Sequence, residues 1–392
     1  MQDKFHSIST PLTSEFIHGA VEIEQTRAGL LPHRLPAWAR AQCPDWQLEM
    51  AESQPSGIRL IFQTTASYVY LVTLPTKRVY AYMSPRPDGV YDLLVDGQLT
   101  LQVSVSGGNV MTIDMAAGTQ TVVAGAPQII QFDNLPPGSK TVEIWLPYDE
   151  TTELKALHSD APIFPVAAPP KRRWLHHGSS ISHGSNAASP TGIWPVIAAQ
   201  RAGLELVNLG FGGNALLDPF TARTMRDLPA DLISVKLGIN LVNKDVMRLR
   251  AFGPAVHGFL DTIREGHPTT PLLVISPIYC PIHEDAPGPT MVDTGQLRKG
   301  KLVFRASGNA NEVGQGKLTL RVIRKELEAI VQQRSAKDPN IHYLDGTALY
   351  GQDDNASLPL PDELHPDAAA HQLIGERFAD LAFAGSSFGK QR

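Results

Sequence analysis

Cysteine is almost absent: the 392 residues contain two, Cys43 and Cys280. Two thiols cannot build a disulfide framework, and neither shows metal-site spacing. Both are expected as free thiols buried as small hydrophobes, in different domains. Long apolar runs are missing too, and no stretch approaches the roughly 20 residues that a membrane-spanning helix needs. Met1 to Glu15 lacks a basic region followed by an apolar core. No secretion signal is therefore read, and a cytoplasmic location is expected. Positive charge is sparse: Lys and Arg number 34 against 39 Asp and Glu, a net charge of −5, with no basic stripe interleaved with aromatics. That balance argues against a nucleic-acid partner. Lys171-Arg172-Arg173 is the one basic run singled out, and beside prolines it reads as a solvated linker. Gly-x-Gly-x-x-Gly and Walker-type loops are absent around the candidate strands, so no permanently bound cofactor is expected.

What is present suits a globular protein of two domains. Hydrophobic residues make up 42% and charged residues 19% of the chain, enough to fill a large core. From about residue 20 to 160, short alternating runs such as Ile58 to Gln63, Tyr68 to Val72 and Val142 to Leu146 predict strands. Asp96-Gly97 between two such runs predicts a tight hairpin. Many strands without a long helix predict an all-β, jelly-roll-like sandwich over residues 1–162. Residues 163–172, rich in proline, form a stiff connector. Beyond them, over 173–392, apolar strands alternate with helical stretches. Strands are predicted at Arg173 to His176, Leu204 to Leu209, Leu232 to Leu237, Leu272 to Ser276 and Ile341 to Leu344. Helices are predicted at Ile193 to Arg201, Pro254 to Glu265, Leu318 to Arg334 and Asp367 to Ala382. This alternation gives an α/β fold class, a parallel sheet flanked by helices. Residues 279–316 lack periodicity, and a loop of that length reads as functional or disordered, with a lid or wall over the site as one reading.

The segment from His177 to Gly184 and the segment Asp362-Glu363-Leu364-His365-Pro366 carry the chemistry. Ser180 follows a strand at the edge where α/β proteins bind ligands. Asp362-x-x-His365 places a carboxylate where it can orient an imidazole, and an imidazole can activate a serine. Acyl transfer also needs donors aimed at a developing oxyanion. The loop from Asn208 to Asn214 and the turn Leu237-Gly238-Ile239-Asn240 each follow a strand and can supply them. Alone, each piece has an ordinary explanation: a loop serine, a helix cap, a tight turn. Together and in order they point to covalent serine catalysis.

In this order the four segments resemble those of the SGNH hydrolases, also called the GDSL family, over about residues 171 to 384. The resemblance implies an SGNH-type sheet preceded by a sandwich domain, a known variant. It places Ser180 as nucleophile, His365 as base and Asp362 as its orienter, with Ser180, Gly213 and Asn240 forming the oxyanion hole. Ser179 stands where the family carries Asp, which leaves Ser179 as a rival nucleophile, and Leu241 follows Asn240 where Asp is common. The motifs themselves imply only serine acyl transfer, and the layout of the whole chain resembles that of an acyltransferase, which implies an O-acyltransferase moving an acyl group, aryl groups included, from a thioester to a natural-product hydroxyl. Acyl-coenzyme A is then a co-substrate, and the partners are a small-molecule acyl donor and a hydroxyl acceptor. Two alternatives stay open. One is an esterase, carbohydrate deacetylases included. The other is a carbohydrate-binding protein on an inactive scaffold, with Tyr68, Tyr70, Tyr80 or Tyr82 stacking on sugars. Gly385-Ser386-Ser387-Phe388-Gly389 matches a nucleophile-elbow pattern without the strand–turn–helix context that the pattern requires. His176, His177 and His183 lack metal spacing and read as local hydrogen-bonding groups.

Overall fold

The structure, a computed structural model, describes residues 7–43, 45–81, 83–114, 117–166 and 171–389. Part of the connector (167–170) and Tyr82 lie outside the described residues. Contacts gather the chain into two units. One comprises Met1–Arg34, Glu52–Pro170 and Ser189–Thr191; the other comprises Leu35–Ala51, Lys171–Ala188 and Gly192–Arg392.

The first unit holds an eight-stranded and a six-stranded sheet among the described residues. Val69–Tyr80 is the long central strand of the larger sheet, and its first half alternates buried and half-buried positions. That period of two is what a strand packed on one face requires. Leu71, Ile130, Phe132 and Leu157 of this sheet share one core with Leu60, Phe62, Leu93 and Ile144 of the other. The Asp96-Gly97 hairpin forms as the sequence predicts, with both residues at positive φ (48° and 80°) between Val90–Val95 and Gln98–Ser104. One pairing is not readable from the sequence: Val69–Tyr80 runs parallel to Asn109–Asp114, where hairpin logic gives antiparallel neighbours. Ile163–Pro165, within the predicted connector, is a strand paired with Arg59–Thr64.

The second unit is built on five parallel strands: β1 (Arg173–Gly178), β2 (Glu205–Gly210), β3 (Leu232–Lys236), β4 (Leu272–Ile275) and β5 (Ile341–Leu344). Their order is β2-β1-β3-β4-β5, so the loop after β1 is flanked by those after β2 and β3. The predicted strands match these to within two residues. Among its helices are α1 (Trp194–Ala202), α2 (Pro219–Asp227), α3 (Leu249–Gly266), α4 (Leu320–Ser335) and α5 (Ala368–Phe378). Helix α2 was not foreseen. Helix α3 starts five residues before Pro254, the residue read as its first turn. Proline forfeits one backbone hydrogen bond there, but Phe252, Val256, Phe259, Leu260 and Ile263 bury one continuous apolar face, which outweighs that loss. Helix α5 ends at Phe378 and passes into a wider turn, Ala379–Ala384, short of the predicted single helix. Ser386 lies just beyond it and donates to the Ala382 carbonyl at 2.7 Å, an ordinary helix-end serine. No helix among the described residues is long and apolar enough to cross a membrane.

Candidate active site

Strand β1 delivers two serines to the sheet edge, and their surroundings separate their roles. Ser179 is fully buried, and its hydroxyl caps the single helical turn Ser180–His183 by accepting from the Ile181 N–H at 3.4 Å. Ser180 is half-buried, with Oγ 3.0 Å from His365 Nε2. The rival reading for Ser179 therefore loses its geometric basis. The turn packs tightly onto its strand: a Cβ on Gly178 would stand 2.3 Å from Ser182 Oγ. Ser182 is held in turn by buried His176, whose Nε2 lies 2.8 Å from Ser182 Oγ and whose Nδ1 lies 2.7 Å from Ser234 Oγ.

His365 Nδ1 meets Asp362 Oδ2 at 2.7 Å. The other carboxylate oxygen accepts from the backbone N–H groups of Leu364 (3.0 Å) and His365 (2.7 Å), so one oxygen shapes the turn while the other faces the imidazole. Asn186 Nδ2 adds a donor to Oδ2 at 3.3 Å. Burial is the strongest influence on Asp362 and opposes its ionisation. The hydrogen bond and charge of His365, with the two backbone donors, outweigh it and hold the carboxyl below its ordinary range. Between the two residues, Glu363 adopts a positive φ of 66°, unusual for a side-chain-bearing residue. Cys280 steadies that turn, its thiol donating to the Glu363 carbonyl at 3.4 Å. Burial pushes this thiol up to about 12, so it acts as a neutral donor. Both free cysteines fall in the second unit, against the expectation of different domains, and Cys43 is only half-buried.

The oxyanion candidates converge from the flanking loops. Asn240 is buried in the first turn after β3, and its Oδ1 accepts from the Ala215 N–H at 3.0 Å. A backbone N–H can only donate, so the oxygen faces Ala215 and the NH₂ group remains available as donor. That bond also ties the β3 loop to the β2 loop. On the β2 loop, Gly212 donates to His183 Nδ1 at 3.3 Å, and a Cβ placed on it would lie 3.9 Å from Ser180 Cβ. Gly213 has φ of 74°, and a side chain there would also meet the Gln47 amide at 2.5 Å. Asn208 sets the loop by donating to the Ser182 carbonyl (2.9 Å) and accepting from the Gly210 N–H (3.0 Å). All five predicted site residues thus occur on adjoining segments at one end of the sheet. Asn186 and Cys280 were not foreseen as site residues, because each acts through a tertiary contact that no local pattern encodes.

The 279–316 connector is ordered structure beside this site, with a hairpin of Thr290–Val292 and Phe304–Ala306. The Phe304 N–H donates to the Asp362 carbonyl at 3.0 Å. Its ring meets the His365 ring edge-on at 5.8 Å. The connector is thus a wall of the site. No group of three or more His, Cys, Asp or Glu suited to a metal occurs among the described residues. The neighbouring histidines hydrogen-bond locally: His177 Nδ1 meets the Leu209 carbonyl at 2.8 Å. His371 Nδ1 accepts from the Trp194 N–H at 3.3 Å, and its Nε2 donates to the Ser185 carbonyl at 2.9 Å.

Burial holds His177 and His371 each down to about 4. Both are neutral in the folded state, whereas the unfolded chain takes up these protons near pH 6.5. Their contribution is therefore fully present above pH 6.5 and is lost as pH falls from there toward 4, by roughly 3 kcal/mol per group. Denaturant midpoints measured across this range are expected to fall with pH. The slope should be shallower in a His371→Gln variant, whose amide carries the same two hydrogen bonds without titrating. An equal slope in the variant would contradict the assignment.

The profile of the GDSL-like lipase/acylhydrolase family matches residues 177–373. Among solved structures, the salicylyl-acyltransferase SsfX3 from a tetracycline biosynthetic pathway is 28% identical. The match covers 98% of this chain and 99% of that one, with a TM-score of 0.79. A structure described as a GDSL-like lipase from Bacteroides ovatus is 17% identical, covers 98% of each chain and gives a TM-score of 0.69. A family two carbohydrate esterase from Cellvibrio japonicus is 11% identical, covering 98% and 99% with a TM-score of 0.56. These last two establish likeness of fold alone. No curated protein sequence matches the chain.

Proposed function

Because the chain belongs to the GDSL-like lipase/acylhydrolase family, we propose that it is a serine acyl-transfer enzyme working through an acyl-Ser180 intermediate. The observation that carries this reading is the unbroken path from Asp362 to His365 to Ser180, at 2.7 and 3.0 Å. His365 takes the Ser180 proton as the hydroxyl attacks the acyl carbonyl, and Asp362 holds the imidazole in the required tautomer and stabilises its charge. The Ser180 N–H stands at the first position of its helical turn, where no intrahelical partner exists. With the Gly213 N–H and the Asn240 amide, it faces the oxygen that becomes negative. His365 then protonates the leaving group, and a second nucleophile discharges the ester.

Transfer to an alcohol is the preferred fate. The likeness to a salicylyl-acyltransferase over 98% of the chain supports it, and so does the ordered wall at 279–316, since shielding from water favours an alcohol acceptor. The donor is then a thioester such as an aryl-coenzyme A, and the acceptor a hydroxyl on a polycyclic natural product. Esterase chemistry is the competing fate of the same intermediate. The ratio of new ester to free acid, measured against rising concentration of a polyphenolic acceptor, separates the two. A ratio that climbs with acceptor supports transfer, and free acid at every concentration supports hydrolysis. Asn240→Ala is expected to slow either fate by roughly 10²–10³-fold in kcat. An unchanged kcat in steady-state assays would remove Asn240 from the oxyanion hole.

A further inference from the structure

The wall beside His365 carries a charge pattern that the chemistry above leaves unused. Arg298, Lys299, Lys301 and Arg305 place four cations within eight residues, all on exposed positions. No carboxylate among the described residues pairs with these side chains. In the sequence these charges do not form a run as 171–173 does, because a glycine and three apolar residues interrupt them. The hairpin brings them together: Met291 pairs with Arg305 and Val292 with Phe304, so residues 294–302 form its tip. The chain as a whole carries −5, so an unpaired basic tip on one rim of the site is a local departure rather than part of a basic face.

Its placement sets the distance to the chemistry. Phe304 is anchored to Asp362 by its N–H and to His365 by its ring. From Phe304 to Gly300 the chain reaches at most about 13 Å. The dozen or so bonds between the sulfur and first phosphate of a coenzyme A thioester, extended, span about 15 Å at ordinary bond lengths. A thioester carbonyl at Ser180 thus puts phosphates within reach of the cations. Exposed Met291, across from Arg305, offers a polarisable apolar surface beside them for a purine base.

We infer that the tip of the Thr290–Ala306 hairpin is the docking site for the phosphate end of a coenzyme A thioester, with Arg298, Lys299, Lys301 and Arg305 as its cationic partners. The inference rests on the acyl-transfer reading above and deepens it by assigning a site to the donor's phosphate end. An acidic carrier protein bearing the same thioester arm is the weaker occupant. Its many carboxylates would meet a chain that is itself acidic, whereas a small ligand needs only local cations.

The test compares one acyl group on coenzyme A and on N-acetylcysteamine, which keeps the thioester and lacks every phosphate. A combined Arg298→Glu, Lys299→Glu and Lys301→Glu variant is assayed beside the unaltered protein. Its kcat/KM for the coenzyme A thioester is expected to fall roughly 10–100-fold, within the range that charge complementarity supplies. Its rate with the N-acetylcysteamine thioester should hold within about twofold, which also shows that the variant is folded. The unaltered protein should lose its preference for coenzyme A as salt rises. Equal use of both thioesters by the unaltered protein, an unchanged preference in the variant, or a charge-dependent preference for the carrier-protein thioester alone would each overturn the inference. Failure of both thioesters with an activated aryl ester still acylating Ser180 would instead overturn the thioester-donor reading itself.

Discussion

Replacing Ser180 with alanine is expected to lower kcat on an activated ester by on the order of 10⁴–10⁶-fold, the scale on which loss of a nucleophile is felt. It should also abolish labelling by a serine-reactive phosphonate. The neighbouring serine supplies the control. Ser179 accepts from the Ile181 N–H and is fully buried, so Ser179→Ala removes a cap and should cost about 0.5–2 kcal/mol of stability. Labelling should survive that change. Thermal melts and labelling stoichiometry on the two variants read the opposite outcomes directly. Persistent labelling of Ser180→Ala would reverse the assignment.

Asp362→Asn should be nearly as damaging, at roughly 10⁴-fold in kcat, with little change in fold. The cause lies in how the two carboxylate oxygens are used. One accepts from the N–H groups of Leu364 and His365, so an amide must keep its oxygen there. Its NH₂ group then faces His365 Nδ1, where Oδ2 now stands at 2.7 Å. Nδ1 is forced to accept, and the ring proton moves to Nε2, the atom 3.0 Å from Ser180 Oγ. An Nε2 that carries a proton cannot take one from serine. The effect should appear in kcat at saturating substrate; a loss confined to KM would place Asp362 in binding instead.

The parts of this protein that a sequence discloses are those encoded locally. Gly178 to Ile181 after an apolar strand, and Asp362-x-x-His365 before a helix, are short patterns whose chemistry follows from residue type and spacing. The five parallel strands were legible because each is a buried apolar run between helical stretches. Other features depend on which distant segments meet, and no period records that. The parallel pairing of Val69–Tyr80 with Asn109–Asp114, the inclusion of Leu35–Ala51 in the second unit, and the hairpin inside the connector are of this kind. The same holds for Cys280. From the sequence it is a small hydrophobe, and only the fold sets its thiol against the Glu363 carbonyl. Proline misplaced the start of α3 for a related reason, since its local preference yielded to an apolar face that only tertiary packing rewards.

Peptide-mapped mass spectrometry of the protein mixed with an aryl thioester reads whether Ser180 carries the acyl group. An acyl mass on the peptide segment containing Ser180, localised to Ser180 by fragmentation and discharged when an alcohol acceptor is added, is the predicted result. Acylation of Ser179, or turnover without any acyl-enzyme under conditions that trap one, would contradict it.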